Sequence, residues 1–524
     1  MKPVTDSLLN RFGADYEASA ERHLATLALS KSELSSVAFS SKGANAMRQK
    51  FSVEVPTLEV TNQKSSGRCW LFAATNVLRE RIAQARNLEN FELSQSYLAF
   101  WDKFERCNYF LESILETAAL PTTDRTVMHI LSTGVHDGGQ WDMFANIVRK
   151  YGVVPKDVYD ETYQSSNTRS MNAQLNRALK VAAAGLRRMA ADKAGADAIQ
   201  AEKNKTLDAI YGFLCSCYGE PPKAFDFEFV DKDQVYHIEK NLTPLTFAER
   251  YVGDLLDQVV SVINAPTADK PYHKTYTIRL LGNVVEGRPV VHLNLTMDEL
   301  KAAIIAQLKA GKVVWFGSDV GHFGERTLGV WDDRSFDFAA LTGLSLAMDK
   351  ADALDYGLAA MNHAMVLTGV NLDEAGKPTR WKIENSWGDK NGEKGYYVCS
   401  DSWFDQYVFQ AAVEREYLGG RSSSSRGIRW ARWRIKRAPS NIKTDCPSAS
   451  ANFGNPFSLL CVRRFSWRVH PFEFNCPFRR CFRAVFVKCN RHFPRVLQFR
   501  QFFRGKRYRS SFVHTSFPHI LSSK

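Results

Sequence analysis

The apolar residues of this chain change their period once, and that change most constrains the fold. Through the first half they recur at helical spacing. In "CWLFAATNVLRERIAQAR", residues 69–86, they fall at positions 71, 72, 74, 77, 78 and 82, one face of a buried helix. From about residue 274 they gather into short runs divided by turns: "KTYTIRLLGNVV", "KVVWFGSDV", "HAMVLTGVNL", "TRWKIENSW" and "GYYVCS". Helices first and strands later predict an α+β fold with the two kinds of element in separate lobes. The expected segments are an N-terminal arm (1–60), a helical lobe (61–154), an Ala-, Leu-, Lys- and Arg-rich helical insertion (155–273), a strand lobe (274–418) and a tail (419–524).

Charge separates the tail from the rest. The 524 residues carry a formal charge of +13. From Gly419 onward there are 23 Lys and Arg against only Asp445 and Glu473, a net of +21, which leaves residues 1–418 at −8. The body is mildly acidic and the last fifth strongly basic. The first thirty residues are polar and amphipathic, unlike a signal peptide. No run of 18 apolar residues exists, so no membrane span is expected. Residues 1–418 hold Cys69, Cys107, Cys215, Cys217 and Cys399, an odd set at irregular spacing. That argues for a reducing compartment, and so the cytoplasm, over a disulfide framework.

Cys69 stands where "NQKSSGRCW" meets the start of a helix. A thiol is nucleophilic as thiolate, and the unpaired N–H groups and dipole of a helix start favour that charge. Such a cysteine is otherwise a small core residue. A nucleophile also needs a base, usually histidine, oriented by a third group. His363 opens the strand "HAMVLTGVNL", and Asn385 ends the next, "TRWKIENSW"; the turn between them, "LDEAGKP", is centred near Ala375, and the two lie 11 residues either side of position 374, almost opposite each other in the expected hairpin. An Asn385 oxygen accepting from one imidazole nitrogen would turn the other toward a thiol. Trp387 would shield that bond from water. Gln63, six residues before Cys69, could aim its amide at the oxygen that the Cys69 N–H also reaches, forming an oxyanion hole. Gly138 and Gly139 offer backbone without Cβ to an extended substrate. His322, His129 and His136 read as loop or packing residues. No phosphate loop, metal-binding motif or dinucleotide fingerprint is present, so no cofactor or metal is expected.

The segments "NQKSSGRCWLFAATNVLR", "GGQWDMFANIVRKYGVVPK", "MNHAMVLTGV" and "IENSWGDKNGEKGYYVCSDSWFDQYVF" together resemble the papain-like cysteine peptidases. More narrowly, they resemble the bleomycin hydrolase and bacterial aminopeptidase C branch. The resemblance covers nearly all of residues 1–418. It implies a two-lobed papain-like fold, with a helical lobe facing a β-barrel lobe. It implies Cys69 as nucleophile, His363 as general base and acid, Asn385 as its orienter and Gln63 as oxyanion donor. It also implies peptide substrates with a free N-terminus and a cytosolic homohexamer enclosing its active sites. Ser66 stands where the secreted pattern Cys-Gly-Ser-Cys-Trp has its first cysteine, so the neighbouring disulfide cannot form.

In that branch the chain ends in a short arm whose terminal carboxylate holds the substrate's amino group. The segment after Leu418 does not resemble it. With 14 of the 34 Phe and almost no acid, it reads foremost as a shifted reading frame or an unspliced segment. The alternative is a basic extension that binds nucleic acid or an anionic surface. Cys476, Cys481, Cys489 and His492 do not have zinc-finger spacing. Replacement of the arm predicts a weakened preference for a free N-terminus.

Overall fold

A computed structural model describes residues 1–419. The readings placed on the tail lie outside these residues.

The centre of the molecule is helix α1, Cys69–Arg86, with thirteen of its 18 residues buried. Its first eleven residues, Cys69 to Arg79, are all buried, while Arg81, Gln84 and Ala85 face solvent toward its end. Around it stand α2 (Gln95–Glu116), started by the Ser94 hydroxyl accepting from Tyr97 N, and α3 (Trp141–Tyr151). The insertion contributes an antiparallel pair, α4 (Arg169–Ala191) and α5 (Ala196–Tyr218). Helix α4 buries Met171, Leu175, Leu179, Ala183 and Leu186, one stripe at helical spacing, and leaves its other side to solvent. The insertion is not wholly helical, for Phe225–Val230 pairs with Tyr236–Leu242 in a separate hairpin.

The second lobe is one eleven-stranded sheet. Its strands are β1 (Val53–Glu54), β2 (Val259–Ile263), β3 (Thr275–Thr277), β4 (Val291–Asn294), β5 (Val314–Ser318), β6 (Gly324–Glu325), β7 (Val330–Trp331), β8 (His363–Leu372), β9 (Pro378–Glu384), β10 (Tyr396–Ser400) and β11 (Val408–Glu414). The order is β3-β4-β2-β11-β5-β8-β9-β10-β7-β6, with β1 added along β8. The hydrogen bonds follow a linear order, so the barrel-like lobe is an open sheet. Strand β2 pairs with both β11 and β4, so the sheet takes up residues well before 274, inside the span read as insertion. Every residue of β5 and β11 is buried, as are the first eight of β8. These central strands are covered on both faces and therefore read as continuous apolar runs. Helix α1 lies against β8, which brings the start of one to the start of the other.

Candidate active site

No side chain caps the start of α1; Arg68 holds the cap position, and its side chain accepts none of the helix N–H groups. The backbone N–H groups at the start of α1 therefore lie beside the Cys69 sulfur, and the backbone N–H of Ala364 meets it from strand β8. Ala364 follows His363, so the thiol and the imidazole belong to facing elements of the two lobes. Burial pushes the Cys69 thiol up to about 11, against those three N–H groups, while the charge of Asp137 adds to the rise. Burial likewise pushes His363 down to about 4, opposed by its bond to Asn385 and reinforced by the nearby charge of Arg326. Each group alone is neutral at pH 7. Passing the proton from sulfur to imidazole leaves the pair without net charge, and each new charge then stabilises the other.

His363 Nε2 lies 2.9 Å from Asn385 Oδ1. The same oxygen accepts the backbone N–H of Ser386 at 2.8 Å. A backbone N–H only donates, so the amide orientation of Asn385 is determined and Nε2 must carry its proton. Nδ1 is left to accept from a thiol. The innermost pair of the β8–β9 hairpin, Leu372 with Pro378, centres the turn on Ala375, as expected. Continued outward, that register sets His363 opposite Trp387 and brings Asn385 to it on a diagonal. Accordingly, Trp387 stacks on the imidazole, with centroids 4.7 Å apart and planes at 27°.

Gln63 is joined to this group through Ser386. Its backbone N–H donates to Ser386 O at 2.8 Å, and its Oε1 accepts the Ser386 hydroxyl at 2.6 Å. Gln63 Nε2 donates to Ser66 O at 2.5 Å. One amide hydrogen is thereby occupied, the carbonyl end is anchored, and the second hydrogen has a defined direction. Gly388, at φ +77°, lets the chain pass Asn62; any Cβ there would overlap Asn62 Nδ2. Ser66 also donates to Gln63 O and accepts from Arg68 Nε. Arg68, buried, forms a two-pronged pair with Glu161 at 2.8 and 3.0 Å. These polar bonds brace the loop at the position where the secreted pattern has a cysteine.

Asp137 braces it from the other side. Its carboxylate accepts from Gly67 N, Lys103 Nζ, Thr168 Oγ1 and Asn172 Nδ2, and its carbonyl accepts the Trp70 indole N–H. Burial alone would raise this carboxyl, but Lys103 and the hydroxyl and amide donors hold it well below the usual range. Of the glycine pair, Gly138 is buried and its carbonyl accepts from Arg106. A Cβ on Gly139 would lie 2.7 Å from the Trp70 ring and 2.8 Å from Arg106 Nη2. Gly139 is therefore required by packing against Trp70, the residue next to Cys69. His136 Nδ1 accepts from Gly138 N, and His322 stacks on Tyr407 beside Asp319.

Asp137 and Ser386 were not singled out in the sequence. Asp137 directly precedes the glycine pair and Ser386 sits between Asn385 and Trp387, but nothing in either position announces the bonds made. Among the described residues, no group of three or more His, Cys, Asp or Glu is placed to hold a metal ion.

A helix-start thiol set against a histidine–asparagine pair on a sheet, with helices on one side and strands on the other, defines the class of papain-like cysteine peptidases. The Peptidase C1-like family model matches residues 3–425. The chain is 47% identical over 418 residues to Aminopeptidase C of Streptococcus thermophilus, covering 80% of this chain and 94% of that protein. It is 50% identical over 368 residues to Aminopeptidase C of Lactobacillus delbrueckii subsp. lactis, covering 70% and 82%. Among solved structures, PepW from Lactobacillus rhamnosis HN001 matches with a TM-score of 0.79 at 48% identity, over 80% of this chain and 94% of that one. The chain belongs to the Peptidase C1-like family, on the bleomycin hydrolase and aminopeptidase C branch.

Proposed function

We propose that this chain is a cysteine aminopeptidase that releases the first residue of peptides through an acyl-thioester on Cys69. The observation that carries the reading is the unbroken chain of bonds from His363 through Asn385 and Ser386 to Gln63, beside a thiol that meets the N–H of Ala364. Relatives bearing the name Aminopeptidase C support it. Cys69 Sγ attacks the scissile carbonyl as its proton passes to His363 Nδ1. The oxygen that becomes negative takes the Cys69 backbone N–H and the second N–H of Gln63. His363 then gives the proton to the leaving amine. Asn385 keeps the ring in place through both transfers, and Trp387 shields their bond. Water, deprotonated by His363, attacks the thioester and frees the acid and the thiol.

Cys69→Ala removes the attacking atom. Hydrolysis of an aminoacyl amide reporter should vanish in this variant, with its urea-unfolding midpoint retained; undiminished hydrolysis rejects the assignment. Comparing free with N-acetylated peptides tests the exo-specificity.

We further propose that the enzyme works in the cytoplasm as a homohexamer. Five unpaired cysteines among the described residues support the reducing location. No helix among those residues is long and apolar enough to cross a membrane. The N-terminal helices Asp6–Glu17 and Ala20–Leu29 bury none of their residues and expose Leu9, Phe12, Leu24 and Leu27, as a contact surface between subunits would. Sedimentation equilibrium at six protomer masses is the expected result.

A further inference from the structure

His363 returns a proton to the departing amine, so the departing residue must lie along the wall formed by His363 and Trp387. That wall continues into a cation. The Arg326 guanidinium stands 4.8 Å from the centroid of the Trp387 indole, and that indole is 4.7 Å from the imidazole. Its charge is felt at His363. Arg326 follows β6 in the turn to β7 and is exposed to solvent. Its backbone is anchored by the Tyr397 hydroxyl, which donates to Arg326 O at 3.3 Å. The neighbouring Glu325 carboxylate turns back into its own turn, where it accepts Leu328 N at 2.5 Å, and forms no ion pair with Arg326. No ion pair joins Arg326 to a carboxylate among the described residues. A guanidinium set over an indole, paired with no carboxylate and with the Tyr397 hydroxyl as a side-chain neighbour, keeps N–H donors for two-pronged binding of a carboxylate.

The reach agrees. A residue spans about 3.5 Å of chain, so a departing amino acid carries its carboxylate roughly that far from the amine. A charged N–H···O bond adds about 2.8 Å. The separations of 4.7 and 4.8 Å through Trp387 place the guanidinium no farther from the imidazole than their sum, a distance of the same order as that reach.

We propose that Arg326 binds the carboxylate of the departing residue and thereby selects substrates that carry one there. Two sources share this chemistry, the free C-terminus of a dipeptide and an acidic side chain at the second position of a longer peptide. The inference rests on the Cys69 and His363 reading above. It adds a specificity residue on the leaving-group side and alters none of the bond changes.

The test measures kcat/KM for alanine release from Ala-Ala and Ala-Ala-NH2, and from Ala-Asp-Ala-NH2 and Ala-Asn-Ala-NH2. Arg326→Met keeps the stem on Trp387 and removes the charge; Arg326→Lys keeps a charge without the fork. The wild-type preference for the free dipeptide over its amide should be about tenfold, the discrimination expected of one well-placed charged contact. In Arg326→Met that ratio should fall to near one, and Arg326→Lys should restore part of it. A collapse confined to the dipeptide pair assigns the terminal carboxylate, and one confined to the Asp/Asn pair assigns the side chain. Ratios unchanged in Arg326→Met overturn this inference alone. Cleavage of all four substrates by Cys69→Ala overturns the underlying reading together with it.

Discussion

Replacing Gln63 isolates one contribution to the chemistry. The residue is 7% exposed, and its amide is held at both ends, with Oε1 accepting from Ser386 and Nε2 donating to Ser66 O. On the proposed mechanism, Gln63→Ala removes one oxyanion donor from a buried site. Such a loss costs about 3 kcal/mol in the transition state, or a fall of roughly 10²–10³ in kcat. KM should change little, because the uncharged ground-state carbonyl draws much less from that N–H. Truncation also strands the Ser386 hydroxyl, which is 3% exposed, at a further cost of about 1–3 kcal/mol in folding stability. The two effects are separable: steady-state hydrolysis of an aminoacyl reporter reads the first, and the urea midpoint reads the second. Gln63→Glu retains the shape and the acceptor for Ser386. It turns an oxygen toward Ser66 O and offers the oxyanion no donor, so kcat should fall at least as far as in Gln63→Ala. A folded Gln63→Ala enzyme whose kcat lies within about threefold of wild type would refute the oxyanion assignment, because no single donor in a dry site is worth so little.

Asp137→Ala leaves the buried Lys103 ammonium without its carboxylate and should cost about 3–5 kcal/mol, read from the urea midpoint; a loss below about 1 kcal/mol contradicts the brace. Gly388→Ala forces a Cβ into Asn62 at a positive φ and should destabilise by about 1–3 kcal/mol while lowering kcat through the displaced Gln63 segment. His363 and His292 are both buried and held down to about 4, whereas unfolded histidine titrates near 6.5. The unfolded chain therefore binds more protons between those values. The contribution of each is fully present above pH 6.5 and is lost as pH falls toward 4, by about 3 kcal/mol per group. Urea midpoints should fall across that window, less steeply in His292→Gln, and a flat wild-type profile would contradict the burial of both rings. Trp387→Ala uncovers the His363–Asn385 bond and should lower kcat/KM about tenfold or more; full activity would show that the stack has no part in holding the base.

Much of the site is local in sequence, and there the reading was direct. Cys69 begins a helix whose apolar spacing is written in the next seventeen residues, and a helix start dictates where its free N–H groups point. His363 and Asn385 sit on neighbouring strands joined by one short turn, so hairpin geometry alone brings them near. The turn lies at Ala375, where the sequence puts it, and only the strand register shows that Trp387 rather than Asn385 faces His363 and stacks on it.

What tertiary structure alone decided is what depends on contacts between distant segments. Strand β2 reads as part of the insertion until β11, almost 150 residues later, pairs with it. Asp137 gathers donors from the nucleophile loop, α2 and α4, and no periodicity encodes that meeting. Ser386 and Arg326 are ordinary in composition and acquire meaning only because Gln63 and Trp387 arrive beside them. Period and capping are properties of neighbouring residues and can be read along a chain. A buried carboxylate's partners are chosen by where its desolvation can be offset, and that choice exists only once the lobes have closed.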